Sequence, residues 1–174
     1  MKKMLWVDLE MTGLDPYENV IIEFAGIITD TQFNHLDSYH AIVFQPDHEL
    51  AKMDEWNPTT HGGSGLLEKI PHGKPEETVE QEVITWLQSH FQDEKPILAG
   101  NSIHQDRKFI DHHWKNLAEI LHYRMLDVSS FKLVYRHFLG HEYDESNPHR
   151  AVDDIQASID ELKYDISFIE SDRP

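Results

Sequence analysis

Four acids and one histidine stand where their residue types could do chemistry together: Asp8 and Glu10, Asp106, and His149 with Asp154. In Leu5-Trp6-Val7-Asp8-Leu9-Glu10 the apolar residues Leu5, Val7 and Leu9 alternate with Trp6, Asp8 and Glu10, which predicts a strand. Side chains two apart on a strand leave the same face, so the two carboxylates are neighbours, with α carbons about 7 Å apart. Such a pair repels itself, and partial burial adds a desolvation cost that a divalent cation or a shared proton offsets. The spacing alone also fits a solvated edge-strand face, because Asp-x-Glu is common by chance. It needs partners from elsewhere in the chain.

Two further motifs could supply them. Around Asp106, the residues Ile103, Phe109, Ile110 and Trp114 form the apolar stripe of a predicted helix, and Asp106 lies three residues from both Ile103 and Phe109. An acid on the apolar face is informative; the alternative is a partly exposed position at its edge. After Pro148, a last helix carries Ala151, Ile155, Ile159, Leu162 and Ile166 at helical spacing, with His149 at its N-terminal edge and Asp154 at the margin of the stripe. A surface histidine and a solvated Asp153-Asp154 pair would read the same way. Cysteine is absent, so any metal must be held by Asp, Glu or His, and a carboxylate-rich set suits magnesium or manganese.

The elements that must position these residues follow from the rest of the pattern. Gly13-Leu14-Asp15-Pro16 is a turn, and the β-rich stretches Val20 to Thr29 and His40 to Gln45 add two strands, giving three consecutive antiparallel strands. Met53 to Gly65 is a loop rich in Pro, Gly and Thr that carries Trp56 and His61. Pro75 to Phe91 is a packing helix, with Val79, Val83, Trp86, Leu87 and Phe91 on one stripe. Pro96 to Gly100 is a short buried strand, and Asn101 or Ser102 is placed to cap the Asp106 helix. Tyr123 to Val128 is a further strand, a helix runs from Ser129 to about Phe138, and His137 to Pro148 is a polar loop. With 174 residues and no evident internal boundary, the chain is expected to form one domain over 1–174.

Charge narrows the partners. Fifteen Lys and Arg against 32 Asp and Glu leave a net charge of −17. Such a field opposes long polyanions, so either nucleic acid is not the partner or the substrate is short and held in a local pocket, and long duplexes are not expected. Thirteen histidines are scattered rather than gathered in one tract. No apolar run is long enough to span a membrane and no signal sequence opens the chain, so the expected address is the cytoplasm with no membrane partner.

The full strings around the five residues resemble those of the oligoribonucleases, members of the DEDDh group of 3′ to 5′ exonucleases. They are Trp6-Val7-Asp8-Leu9-Glu10-Met11-Thr12-Gly13-Leu14, Gly100-Asn101-Ser102-Ile103-His104-Gln105-Asp106 and His149-Arg150-Ala151-Val152-Asp153-Asp154, with Met53-Asp54-Glu55-Trp56-Asn57 and His122-Tyr123-Arg124-Met125-Leu126-Asp127-Val128-Ser129 between them. The resemblance spans nearly the whole chain. It implies an α/β, ribonuclease H-like fold: a mixed sheet of three antiparallel strands followed by alternating helices and strands, flanked by helices. It also implies that Asp8, Glu10, Asp106 and Asp154 bind two magnesium or manganese ions, with His149 as general base. Leu14 would wedge against the bases, Trp56 and His61 would line the site of the 3′ nucleotide, and Tyr123 would stack on the 5′ base. Arg124, Ser102 and Ser129 would close on the 5′ end, with Tyr123 and Arg124 supplied by the partner of a homodimer. The implied activity is hydrolysis of short oligoribonucleotides, especially dinucleotides, to nucleoside 5′-monophosphates. Two departures stand out: His104 replaces an expected small residue near Asp106, and 137–148 follows no family pattern.

Three other readings are kept: an exonuclease for longer ends, a metal-dependent module that binds nucleotides without cleaving them, and an acidic protein-interaction domain. The first would need a basic track along the strand, which this composition does not readily supply.

Overall fold

A computed structural model describes residues 3–53, 65–140, 143 and 151–171. The alternating segment at the start of the chain forms β1 (Lys3–Met11), followed by β2 (Ile21–Asp30) and β3 (His35–Ile42). Single helical turns at Asp47–Leu50 and Leu66–Lys69 precede α1 (Glu76–Phe91), which Pro75 opens. Then come β4 (Leu98–Gly100), α2 (His104–His113), α3 (Lys115–Ile120), β5 (Met125–Asp127), α4 (Val128–Val134) and α5 (Ala151–Ser171). The sheet order is β3-β2-β1-β4-β5. The first three strands are antiparallel, while β4 and β5 run parallel to β1. This is the mixed α/β architecture that the resemblance implies.

Strand alternation divides the core into two layers. Leu5, Val7 and Leu9 point into one layer with Phe24, Val83, Leu87, Phe109, Ile110 and Trp114. Trp6 points the other way, against Ala25, Ala99, Val128, Ile155, Ile159 and Leu162. Full burial of each large apolar side chain contributes about 1.5–3 kcal/mol, so both faces of β1 are firmly held. Because Asp8 and Glu10 share the parity of Trp6, they emerge on the side covered by α5.

Several boundaries differ from those the sequence suggests. The third strand begins at His35 rather than His40, because the turn before it is tighter than its polar sequence implies. Asp30 Oδ1 accepts from the backbone N–H groups of Gln32 and Asn34, both at 2.9 Å, and Phe33 turns the chain with a φ of 62°. As an edge strand, β3 leaves Leu36, Ser38 and His40 exposed, so it lacks the continuous apolar run of its neighbours. Neither Asn101 nor Ser102 caps α2: Ile103 occupies the N-cap position without a side-chain bond. The helix after β5 starts one residue early, at Val128, capped by Asp127, and passes into a π-helical turn at Tyr135–Leu139. The 53–65 loop lies outside the described residues apart from its ends, as does most of 137–148 beyond Gly140.

At Gly100 the end of β4 approaches β1 so closely that a Cβ would lie 2.9 Å from the Val7 carbonyl oxygen. Only a residue without a side chain fits there. Gly100→Ala is therefore expected to lower the unfolding free energy by about 1–3 kcal/mol, the usual cost of overpacking, as measured by urea denaturation.

Candidate active site

The site forms at one end of β1, where the sheet runs out of neighbours. Strand β4 registers only with Leu5 and Trp6, so β1 continues past it toward Met11. The Leu9 N–H donates instead to Asp106 Oδ1 at 2.9 Å. That bond explains the acid on the apolar stripe of α2: Asp106 is 6% exposed and satisfies a backbone donor that the sheet leaves open. On the α5 side, Asp8, Glu10 and Asp154 each present a carboxylate oxygen, and the three lie within 4.8 Å of one another. Asp153 faces outward, whereas Asp154 is half-buried beside the buried Ile155.

Crowding and burial set the protonation of this group. Burial raises the Asp8 carboxyl well above its usual range, reinforced by the charges of Asp106, Glu10, Asp154 and Glu23. Glu10 is pushed up to about 7 by burial, then by Glu23, Asp154 and Asp106. Burial likewise raises Asp106 to about 7, although hydrogen bonds from the Leu9 and Asp106 N–H groups oppose the rise. Converging carboxylates that resist ionisation without a counter-charge, with hard oxygen donors only, fit a divalent cation such as magnesium or manganese.

Sequence reasoning missed Glu23. The β1–β2 register sets it directly opposite Glu10, adding a further carboxylate, and His40 Nε2 lies 2.5 Å from its Oε1. Only the hairpin register reveals the pairing. His104 pairs with Asp127, its Nδ1 3.3 Å from Oδ2, and Asp106 keeps its bond to Leu9.

Two other groups gather near this end of the sheet. Leu14 is 72% exposed at the tip of a turn that Thr12 and Asn19 hold: Val20 N–H donates to Thr12 Oγ1 at 3.0 Å, and Asp15 N–H to Asn19 Oδ1 at 3.1 Å. Ser102 and Ser129 come together from the ends of β4 and β5, with hydroxyl oxygens 3.3 Å apart. Asp127 Oδ1 accepts from the N–H groups of both serines, each at 3.1 Å. Tyr123 and Arg124 do not join them: they precede β5, at the opposite end of that parallel strand from Asp127, with Tyr123 73% exposed and the Arg124 guanidinium 5.3 Å from its ring centre. Trp56, His61 and His149 lie outside the described residues.

Comparison with known proteins decides the family. A family model described as Exonuclease matches residues 5–162. The chain is 44% identical over 168 residues to an oligoribonuclease of Aliivibrio fischeri and 41% identical over 168 residues to one of Pseudomonas putida, covering 94% of this chain and 93% of each relative. The chain belongs to the oligoribonuclease family of exonucleases. Among solved structures it is similar to an E. coli exonuclease I complex with single-stranded DNA, with a TM-score of 0.72 and 16% identity. A product-bound exonuclease I gives the same TM-score of 0.72. The chain spans about two-fifths of the length of those exonuclease I chains, 39% and 43%, and the likeness at this identity is one of fold.

Family membership and the carboxylate geometry yield a pH expectation. Because Glu10 and Asp106 bind protons more tightly folded than unfolded, their contribution to stability is fully present below the unfolded carboxyl range and is lost as pH rises through about 7, and the raised Asp8 carboxyl acts in the same direction. With EDTA, the melting temperature is expected to fall between about pH 5 and about pH 8 as this contribution is lost. Manganese competes with protons for the same oxygens, so its stabilising shift is expected to be larger at the upper end of that range. Scanning fluorimetry across a pH series, with and without manganese, checks both expectations.

Proposed function

We propose that this chain is a 3′ to 5′ exoribonuclease that degrades short oligoribonucleotides, above all dinucleotides, to nucleoside 5′-monophosphates. The observation that carries the reading is the convergence of Asp8, Glu10 and Asp154 beside the buried Asp106, in a chain 41–44% identical to oligoribonucleases. In this reading 1–174 forms one exonuclease domain. Asp8, Glu10, Asp106 and Asp154 hold two divalent ions, magnesium or manganese. When bound, such ions polarise the attacking water and stabilise charge on the scissile phosphate and the departing 3′ oxygen.

The chain's own groups do the rest. His149 takes the proton of the attacking water on an imidazole nitrogen, a task suited to a group that titrates near neutrality. Leu14, exposed on its braced turn, wedges between bases, while Trp56 and His61 line the place of the 3′ nucleotide. Ser102, Ser129 and Arg124 enclose the 5′ end, and Tyr123 stacks on the 5′ base. An enclosed 5′ end leaves a longer chain no exit, which agrees with a net charge of −17 that opposes long polyanions.

Tyr123 and Arg124 reach the pocket of a second copy in a homodimer. The support for this is the exposure of large apolar residues in and around β5 and the helix that follows it: Tyr123, Met125, Leu133, Val134, Phe138 and Leu139. No helix among the described residues is long and apolar enough to cross a membrane, and the proposed address is the cytoplasm.

The decisive experiment is cleavage of 5′-labelled RNAs, from a dinucleotide to a long single strand, with magnesium, manganese or EDTA. Rapid metal-dependent hydrolysis that falls steeply with length is expected. Equal or faster cleavage of the long strand would move the assignment to a general exonuclease, and no cleavage would favour a binding module. His149→Ala is expected to lower kcat by about 10²- to 10⁴-fold, the usual contribution of a general base. Retained turnover in that variant would remove His149 from the mechanism.

A further inference from the structure

Helix α5 buries polar side chains on a second stripe beside its apolar one. Ser158, Glu161 and Asp165 follow one another at helical spacing, and each is at most 4% exposed. Asn101, at the end of β4, and Lys132, on α4, meet this stripe. Asn101 Nδ2 lies 3.0 Å from Ser158 Oγ and 3.1 Å from Glu161 Oε2, and Lys132 Nζ lies 3.6 Å from Glu161 Oε1. The Ser158 hydroxyl gives its hydrogen to the Asp154 carbonyl at 3.0 Å, so it accepts from Asn101, whose amide nitrogen then faces Glu161 as well. The amide oxygen is left to accept from Ser129 Oγ at 3.2 Å. Glu161, as a carboxylate, thus has a donor on one oxygen and an ammonium beside the other.

Asp165 has no such support. It is 2% exposed, and its Oδ2, like Oε1 of Glu161, is closed off from solvent with no hydrogen-bond partner. A bare buried oxygen is costly, and more so on a charged group. Residues four apart on a helix have Cβ atoms about 5–6 Å apart, so the two bare oxygens belong to neighbouring carboxyl groups. Two carboxylates against the Lys132 ammonium leave an excess of one negative charge. A single proton removes that excess and supplies the missing bond, from Oδ2 of Asp165 to Oε1 of Glu161. A cation would remove the excess too, but a hard cation takes about six oxygen ligands, and here both bare oxygens are sealed from water with Lys132 already beside one of them. The other surroundings add little charge. The strands β1 and β2 meet α5 with apolar side chains, among them Trp6, Ala25 and Ile27. Beyond Lys132, α4 and the turn after it bring the buried Tyr135, packed on Phe168, and the exposed Arg136.

We propose that Asp165 stays un-ionised in the folded chain and donates its proton to Glu161, so that the seating of α5, the helix that carries Asp154, rests on one buried proton. Asp165 keeps the proton because Asn101 and Lys132 both favour a charge on Glu161. Burial, and then the Glu161 charge, raise the Asp165 carboxyl above its ordinary range, and Lys132 opposes them. Such a group contributes stability that is fully present below the unfolded carboxyl range and is lost as pH rises through its folded value. Loss of the proton leaves a net negative charge between α4 and α5. It loosens the contact that Asn101 and Ser158 extend to the Asp154 carbonyl.

The proton is read directly by NMR of the full chain. The signal of the Asp165 side-chain carboxyl carbon is expected to hold its un-ionised position at neutral pH, where the exposed Asp160 has already moved to the ionised one. An ionised Asp165 at neutral pH overturns the proposal. Urea denaturation supplies the second reading. Asp165→Asn keeps a donor toward Glu161 and cannot ionise, while the carboxylates around Asp8 are common to both proteins and cancel. The ratio of the wild-type unfolding constant to that of Asp165→Asn is expected to rise above about pH 4, by up to about tenfold per pH unit, until the folded carboxyl ionises. A ratio that is constant with pH overturns the proposal. Repeating the series with tetramethylammonium in place of potassium separates proton from metal ion. An unchanged ratio is expected, and a stability that follows potassium gives the site to a cation and overturns the proposal. Should Asp165→Asn fail to fold, the carbon signal of the wild-type chain still decides.

Discussion

The structure depends on the confinement of like charges at the end of one strand. Asp8 and Glu10 leave the same face of β1, Asp154 meets them from α5, Asp106 lies behind and Glu23 stands across from Glu10. Burial raises three of these carboxyls, Asp8, Glu10 and Asp106, with repulsion inside the group adding to the first two and the charge of Asp127 to the third. The stability of the apolar layers must cover that cost. Trp6, on the same face as the two acids, is fully buried beneath α5, so the strand cannot rotate its acids into water without exposing an indole.

Backbone hydrogen bonding converts this electrostatic burden into a defined geometry. Because β4 is only three residues long, β1 extends past it, and Asp106 answers the Leu9 N–H. Asp127 plays a similar part at the end of β5, where it caps α4 through Ser129 and receives the Ser102 N–H as well. In both places a carboxylate completes a parallel strand that stops short. The open end of the parallel half of the sheet is thus rimmed by acids whose positions follow from unpaired peptide groups.

Fold and chemistry are linked through α5. Its apolar stripe of Ile155, Ile159 and Leu162 seats it on the sheet, and the same helix presents Asp154 at its start and Ser158 and Glu161 one and two turns later. Asn101 bonds to the second and third of these. Motion of α5 would therefore disturb the carboxylate group and the serine pair together.

Much of this was legible in the sequence. The alternation around Asp8 and Glu10, the displaced acid on the α2 stripe and the periodicity of the last helix each place a residue by local geometry alone; in the structure Asp8, Glu10 and Asp154 lie within 4.8 Å of one another, and Asp106 accepts from the Leu9 N–H. The fold class followed from the family strings. What the sequence alone could not determine were relations between distant segments: the early start of β3, the register that sets Glu23 against Glu10, and the bond from Leu9 to Asp106 in place of a capped α2. Nor could it orient the Ser129 hydroxyl, which depends on an amide anchored by a buried glutamate 60 residues away. Periodicity shows which face of its own element a residue occupies, because that is a property of local backbone geometry. Only the packed chain decides which groups from other elements meet it there, and with them the direction of each hydrogen bond and the ease with which each acid ionises.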